Sequence, residues 1–502
     1  MVFVRFRYYH ILMTENCFQR NRQKRKVIMN KPNVLFIFTD DQRFDTISGL
    51  GNKEIDTPNL DRLMKRGTTF THAHIMGGTV GAVCQPSRAM MLTGRTLFNI
   101  KGHGQVIPPE HITMPEHFRS NDYVSCHVGK WHQDRDSHIR SFETGGKIFG
   151  FKMDKGWYEA CNGHWHSPVH DFDPEGQYDP DGGYNSPEIE TFVQPFEKVK
   201  KNGLHSAEVF SDSMIDFLRE YPDSDAAKTG KPFFAYLAHI APHDPRQYPE
   251  RFLEQYPAER VSLPENLLMR HPFDNGDLYI RDELLAAFPR RPEEIRQHLA
   301  DYYAIIAHVD EQVGRVLDVL EEIGQADNTI IVFAGDNGLA VGQHGLMGKQ
   351  NLYEHSVRVP LIMAGPGIPE DQSSDALCYL IDIFPTLCDL AGLPVPETVN
   401  GLSLMPVMET PASSVRDELF YGYKGFQRGY RNSRFKLLEY AVNGEHTVQL
   451  FDLKNDPREM INLAGEDEFQ EILAGMQKSL ERWRTELNDT GEFGREFWRV
   501  AR

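Results

Sequence analysis

The sequence predicts an α/β fold with a mostly parallel central sheet flanked by helices, followed by a smaller C-terminal antiparallel sheet plus a helix. Three observations carry this. Short apolar runs alternate with longer stretches of helical periodicity, as parallel strands buried on both faces do. Polar residues cluster just past four of those runs, where the ligand crevice of an open α/β sheet lies. From about residue 395 the pattern changes to short apolar and polar alternations, "LFYGYKG", "FKLLEYA" and "HTVQLFDL", before a helical stretch from about 467 to 487.

The five runs are "NVLFIFT" (33 to 39), "YVSCHVG" (123 to 129), "FFAYLAHI" (233 to 240), "TIIVFAG" (329 to 335) and "VPLIMAG" (359 to 365). Residues 293 to 324 have apolar positions at helical spacing and end at Gly324, a suitable C-cap, as one long helix or two. Residues 141 to about 200, rich in Gly, Asp, His, Pro and aromatics without periodicity, read as long loops. Three segments result: a basic leader over 1–28, expected to be disordered or foreign to the native protein with Met29 as the start; a main domain over 29–395; and an α+β subdomain over 396–502.

The composition narrows the function. With 502 residues, 40% hydrophobic and 25% charged, the chain is globular in class, and no apolar run reaches the roughly 18 residues of a spanning helix. A formal charge of −18 repels nucleic acid and anionic membranes, so neither is expected as a partner. An anionic substrate needs a locally positive pocket. The six cysteines form no CxxC and are expected to be reduced thiols. No secretory apolar region is visible, which reads as cytoplasmic, with a periplasmic or secreted location as the alternative.

Two acidic clusters end two of the runs, Asp40-Asp41 and Asp336-Asn337. Adjacent carboxylates at a buried strand end need a compensating cation, and an all-oxygen set suits Ca²⁺ or Mg²⁺. Asp-Asp after a strand also fits a helix cap or turn, but the second cluster favours a cation site. Arg88, Lys130, His132, His243 and Lys349 form a basic set able to surround an oxyanion beside that cation. Taken singly, each is an ordinary surface charge or a satisfied histidine. Cys84, in "VCQPSRAMMLTGR", sits just before Pro86 at a predicted helix start. There a helix dipole and an arginine allow a thiolate, while a buried inert thiol is the plain reading.

"CQPSR" followed by "LTGR" resembles the signature of the type I, formylglycine-dependent sulfatases of the alkaline-phosphatase-like superfamily. The likeness extends to "LFIFTDDQ", "GKWH", "APHDP", "FAGDNG", "GKQNLYEHSVRVPLI" and "LFDLKNDPREMINLA", nearly the whole chain from residue 33. It implies an alkaline-phosphatase-like domain and a sulfuric ester hydrolase in which Cys84 is converted to formylglycine by a formylglycine-generating enzyme. It implies one Ca²⁺ held by Asp40, Asp41, Asp336, Asn337 and position 84, with Arg88 steadying the formylglycine and Lys130 and Lys349 binding sulfate. The hydrated aldehyde would attack sulfur with Asp336 as base. His243, helped by Lys349, would protonate the leaving group, and His132 would deprotonate the second hydroxyl to expel sulfate.

The tract "CNGHWHSPVHDFDPEG" departs from the family pattern. Its His164, Trp165, His166, His170 and Asp171 are expected at the pocket mouth, with Trp165 stacking on a sugar, or else in an ordinary packed loop. A sulfated saccharide is the first expectation for the substrate, and a sulfated small molecule the second. The rival functions are a phosphate or phosphonate monoester hydrolase of the same superfamily and a noncatalytic binding protein with a decayed site.

Overall fold

The computed structural model describes residues 31–149, 169–171, 199–200 and 205–502. Its strands, named here in chain order, are β1 (Asn33–Thr39), β2 (Gly67–Phe70), β3 (Gly77–Gly78), β4 (Val124–Lys130), β5 (Thr144–Phe149), β6 (Val169–Asp171), β7 (Phe233–Ala238), β8 (Thr329–Gly335), β9 (Leu361–Ala364) and β10 (Gln372–Ser374). The C-terminal ones are β11 (Glu418–Tyr423), β12 (Gln427–Asn432), β13 (Phe435–Val442) and β14 (Glu445–Asp452). The helices used below are α1 (Pro58–Lys65), α2 (Cys84–Thr93), α3 (Ser206–Glu220), α4 (Pro292–Glu322), α5 (Ile383–Ala391), α6 (Gln470–Glu486) and α7 (Glu492–Ala501).

The large sheet runs β10-β2-β9-β8-β1-β7-β4-β5-β6. Its centre, β8-β1-β7-β4, is parallel throughout, so the four strand ends rich in polar residues point the same way. The fifth run differs: β9 lies antiparallel to β8, and Arg358–Val359 splits off to pair with Ala73–His74 instead. Pro360, which has no N–H to give a ladder, separates the two pieces.

β1 shows why its run is continuously apolar. Val34, Phe36 and Phe38 enter one core with Met90, Met91 and Leu92 of α2 and Phe384 of α5. Leu35 and Ile37 enter a second core with Phe210 and Met214 of α3 and Leu299 and Val313 of α4. A strand covered on both faces cannot alternate in polarity. α4 is one unbroken helix, and Gly324 follows it in the left-handed conformation with φ of +67°.

Two expectations need correction. The segment from 141 is not only loop, because β5 pairs in parallel with β4 and β6 adds antiparallel to β5, while Val199–Lys200 pairs with Tyr248–Pro249. Its "TGGKIF" carries two glycines, which hid the strand pattern. The C-terminal part closes with two helices, α6 and α7, rather than one. Its four antiparallel strands are extended by a fifth from far upstream: Gly77 and Gly78 of β3 pair in parallel with Gly422 and Tyr423 of β11.

Candidate active site

The site forms at the carboxyl ends of β1, β4, β7 and β8. Asp40 and Asp41 follow β1, Lys130 ends β4 with His132 beyond it, His243 follows β7, and Asp336 and Asn337 follow β8. Cys84 and Arg88 come from the first turns of α2, and Lys349 from residues 338–353, which contain neither helix nor multi-residue strand. The ten are all buried.

Asp41 and His132 both adopt left-handed backbone, with φ of +64° and +71°. Such conformations cost energy in non-glycine residues and recur at functional sites. At Asp41 the turn is held by the Asp336 carboxylate, which accepts from Asp41 N at 3.0 Å, and by Tyr302, which donates to Asp41 O at 2.5 Å. At Lys130 the aim is set by Gly129 (φ +99°), where a Cβ would lie 1.9 Å from the Ala238 carbonyl oxygen.

Arg88 ties the carboxylates together. Its Nε donates to Asp336 Oδ2 at 2.8 Å, Nη2 to Asp40 Oδ2 at 3.3 Å, and Nη1 to the Lys130 carbonyl at 3.3 Å. Lys130 Nζ pairs with Asp40 Oδ2, and Lys349 Nζ with Asp41 Oδ1 at 2.6 Å. His243 Nε2 stands 3.7 Å from Asp41 Oδ2. Around Cys84 Sγ lie His132 Nδ1 at 3.5 Å and the Lys130 and Lys349 ammoniums at 3.9 Å each.

The charges shift as burial and neighbours dictate. Burial alone would raise the Asp40 carboxyl, but Lys130, His243, Arg88 and Lys349 hold it well below the usual range. Burial and the Asp40 charge push Asp336 up to about 6. Burial lowers His132 well below the ordinary histidine value. The Cys84 thiol goes up to about 12, because burial outweighs both lysines. The thiolate that a helix N-terminus could favour is therefore not what this environment stabilises.

Asp40, Cys84 and Asp336 converge as one possible ligand group, and Asp40, Asp41 and His243 as another, with ligand atoms in each within 4.8 Å of one another. Asp40 Oδ1 and Asn337 Oδ1 are buried without a hydrogen-bond partner. Such oxygens are rare unless something accepts their lone pairs. The oxygen donors fit a hard divalent cation, and the Cys84 thiol lies beside them.

All ten central residues read from the sequence thus come together in one place. His164, Trp165 and His166 lie outside the described residues. The β6 backbone sets His170 opposite Ile148, and the side chain of His170 lies outside the described residues too. Sequence reading missed Asp244, Arg281, Asp282 and Glu283, which pack behind His243 and Lys349. Of these, Asp244 stood within the quoted "APHDP", whereas the "RDE" at 281–283 sits in a stretch with no periodic signal.

The fold is that of the alkaline-phosphatase-like hydrolases, with acidic and basic side chains gathered at the carboxyl ends of its central parallel strands. The chain belongs to the sulfatase family, whose model matches residues 32–393, and it is a sulfuric ester hydrolase. A second model, described as N-sulphoglucosamine sulphohydrolase, C-terminal, matches residues 342–486. An N-acetylglucosamine-6-O-sulfatase of Bacteroides thetaiotaomicron is 27% identical over 93% of this chain and 88% of its own. A solved structure in complex with its substrate D-glucosamine-2-N,6-O-disulfate superposes with a TM-score of 0.71, 24% identity and coverage of 92% of this chain and 99% of its own. The phosphonate monoester hydrolase of Agrobacterium radiobacter does so with 0.71 and 23%, over 91% and 96%. Family members generally use a formylglycine and a metal ion. No helix among the described residues is long and apolar enough to cross a membrane.

Proposed function

We propose that this sulfatase removes a sulfate ester from a saccharide, with a formylglycine made from Cys84 by a formylglycine-generating enzyme and with one Ca²⁺. One observation carries the reading: a single buried atom, Cys84 Sγ, is within reach of His132, Lys130 and Lys349 and beside the Asp40 and Asp336 carboxylates. The saccharide class rests on the acetylglucosamine sulfatase relative.

Asp40, Asp41, Asp336 and Asn337 would hold the calcium, which supplies charge for the sulfate oxygens and for the nucleophile at position 84. As a hydrated aldehyde, formylglycine supplies one hydroxyl to attack sulfur and a second that lets sulfate leave by elimination. The chain's own side chains do the rest. Arg88 fixes the two carboxylates from below. Lys130 and Lys349 present ammoniums to the sulfate oxygens. Asp336 would take the proton of the attacking hydroxyl. His243 and Lys349 stand on the side of Asp41 to protonate the departing alcohol, and His132 Nδ1 to take the last proton at position 84.

Initial rates on 4-nitrophenyl sulfate and 4-nitrophenyl phosphate, then on a panel of sulfated monosaccharides and disaccharides, test this. Faster turnover of the sulfate and release from a saccharide are expected. A dominant phosphatase rate would overturn the reaction class, and turnover of small aryl sulfates alone would overturn the saccharide.

A further inference from the structure

Residues 338–353 approach the site without regular secondary structure, so side-chain bonds must fix where Lys349 points. They come from one short segment. The Glu283 carboxylate accepts from Met347 N at 2.8 Å and from Gly348 N at 3.0 Å. It also takes Arg290 Nη2 at 2.5 Å, and that buried guanidinium donates further to the Gly345 carbonyl at 2.9 Å. Asp282 Oδ2 accepts from Gln350 Nε2 at 2.6 Å, and Gln350 Oε1 in turn accepts from Lys349 N at 3.0 Å. The two backbone N–H groups before Lys349 and the side chain after it are therefore bound by consecutive acidic residues. A Cβ at Gly348 would lie 2.9 Å from Glu283 Oε1 and 2.3 Å from Gln350 Oε1, so a side chain there would push both of these bonded groups aside.

The same segment reaches the other proposed proton donor. Arg281 grips Asp244 with two nitrogens, Nη1 at 2.7 Å from Oδ1 and Nη2 on Oδ2, while Nη1 also donates to Asp282 at 3.0 Å. Asp244 flanks the inner nitrogen of His243: Nδ1 lies 2.7 Å from the Asp244 carbonyl oxygen and 3.6 Å from Oδ1. A histidine whose Nδ1 is fixed from behind presents Nε2 in one direction, here towards Asp41.

We propose that Arg281, Asp282 and Glu283 are positioning residues that hold His243 and Lys349 in mutual register for protonation of the leaving group. This rests on the roles proposed for that pair above. Charge-assisted bonds to backbone N–H groups and a bidentate arginine-carboxylate pair are the short, directional kind suited to the task. Small misplacements of catalytic groups cost large factors in rate.

The test compares 4-nitrophenyl sulfate, whose phenolate leaves without help, with phenyl sulfate, whose more basic phenolate needs the proton. Arg281→Ala and Glu283→Gln should lower kcat on phenyl sulfate by about tenfold or more and on 4-nitrophenyl sulfate by less than about threefold, since general acids contribute 10²–10⁴. Arg281→Lys should recover part of the loss, and thermal melts confirm that each variant folds. Equal losses on both esters, or none on either, would overturn the proposal. The wild-type sulfate-to-phosphate ratio judges the reaction class separately. Should phosphate win there, the same leaving-group comparison on phenyl and 4-nitrophenyl phosphates still decides the positioning role.

Discussion

The Arg88 guanidinium donates to Asp336 at 2.8 Å with both side chains fully buried, and its carbon centre lies 4.9 Å from the Phe38 ring centroid. A helix that starts at Cys84 is thereby bonded to the end of a strand that starts at Thr329. Neither charge has water to fall back on, so each depends on the other.

Arg88→Met should therefore destabilise the protein by roughly 3–5 kcal/mol, the cost of stranding buried charge. Arg88→Lys should fall between, because one ammonium cannot reproduce the fork that spans Asp336 and Asp40. Urea unfolding of the three proteins measures it. A wild-type midpoint for Arg88→Met would mean that the carboxylates are neutral in the fold.

Calcium should raise the melting temperature of the wild-type protein, since a ligand bound only by the native state stabilises it by about 2.7 kcal/mol at a hundred times its Kd. Asp40→Asn and Asn337→Ala remove one cation ligand each and should reduce or abolish the shift. Melts with EDTA and with added CaCl₂ report it. An undiminished shift in both variants would place the ion elsewhere.

Protein from a host with the modifying enzyme should yield a peptide around position 84 that has lost sulfur and two hydrogens and gained one oxygen. Cys84→Ala should lose activity by ~10³-fold or more, as when a nucleophile is removed. Mass spectrometry of the proteolysed enzyme is decisive, and an unmodified thiol in fully active enzyme would end the formylglycine account.

Gly129→Ala should be poorly tolerated, because its Cβ would meet backbone rather than a flexible side chain, the Ala238 oxygen, at 1.9 Å. The positive φ adds about 1 kcal/mol or more of strain. We expect lowered stability and, in what folds, a kcat loss from a re-aimed Lys130. Unchanged kcat together with an unchanged melting temperature would show that β4 can shift freely.

Asp310 of α4 accepts from Asn59 N at 3.1 Å, Leu60 N at 2.7 Å and Asn59 Nδ2 at 3.0 Å, and so caps α1 from another helix. Burial pushes its carboxyl up to about 6 against those three donors. A raised carboxyl contributes stability that is full below the unfolded value near 4 and lost as pH rises through 6. Between pH 4 and 8 the wild type should lose on the order of 2 kcal/mol relative to Asp310→Asn. Unfolding at both pH values measures the gap, and a constant gap contradicts the shift.

The sequence made the central strands and six of the ten buried residues legible for one physical reason, while Cys84, Arg88, His132 and Lys349 were legible through the motifs around them. Strands covered on both faces must be apolar throughout, so Asp40-Asp41, Lys130, His243 and Asp336-Asn337 stand out where each run stops. β5 escaped because its glycines and Lys147 break the apolar run. The antiparallel sense of β9 escaped because direction leaves no mark on composition. Arg281, Asp282 and Glu283 escaped for a different reason: they lie in a stretch without periodicity, and the groups they bond, the Asp244 and Gln350 side chains and the Met347 and Gly348 N–H groups, lie some 37 to 68 residues away in the chain.

The pairing of Gly77 and Gly78 with Gly422 and Tyr423 has a consequence in time. On the ribosome, the strand just ahead of Cys84 emerges long before its ladder partner exists, and the small sheet cannot be completed until the chain is nearly finished. Cys84, 1% exposed once folded, would thus be far easier for the modifying enzyme proposed above to reach before the small sheet closes than after.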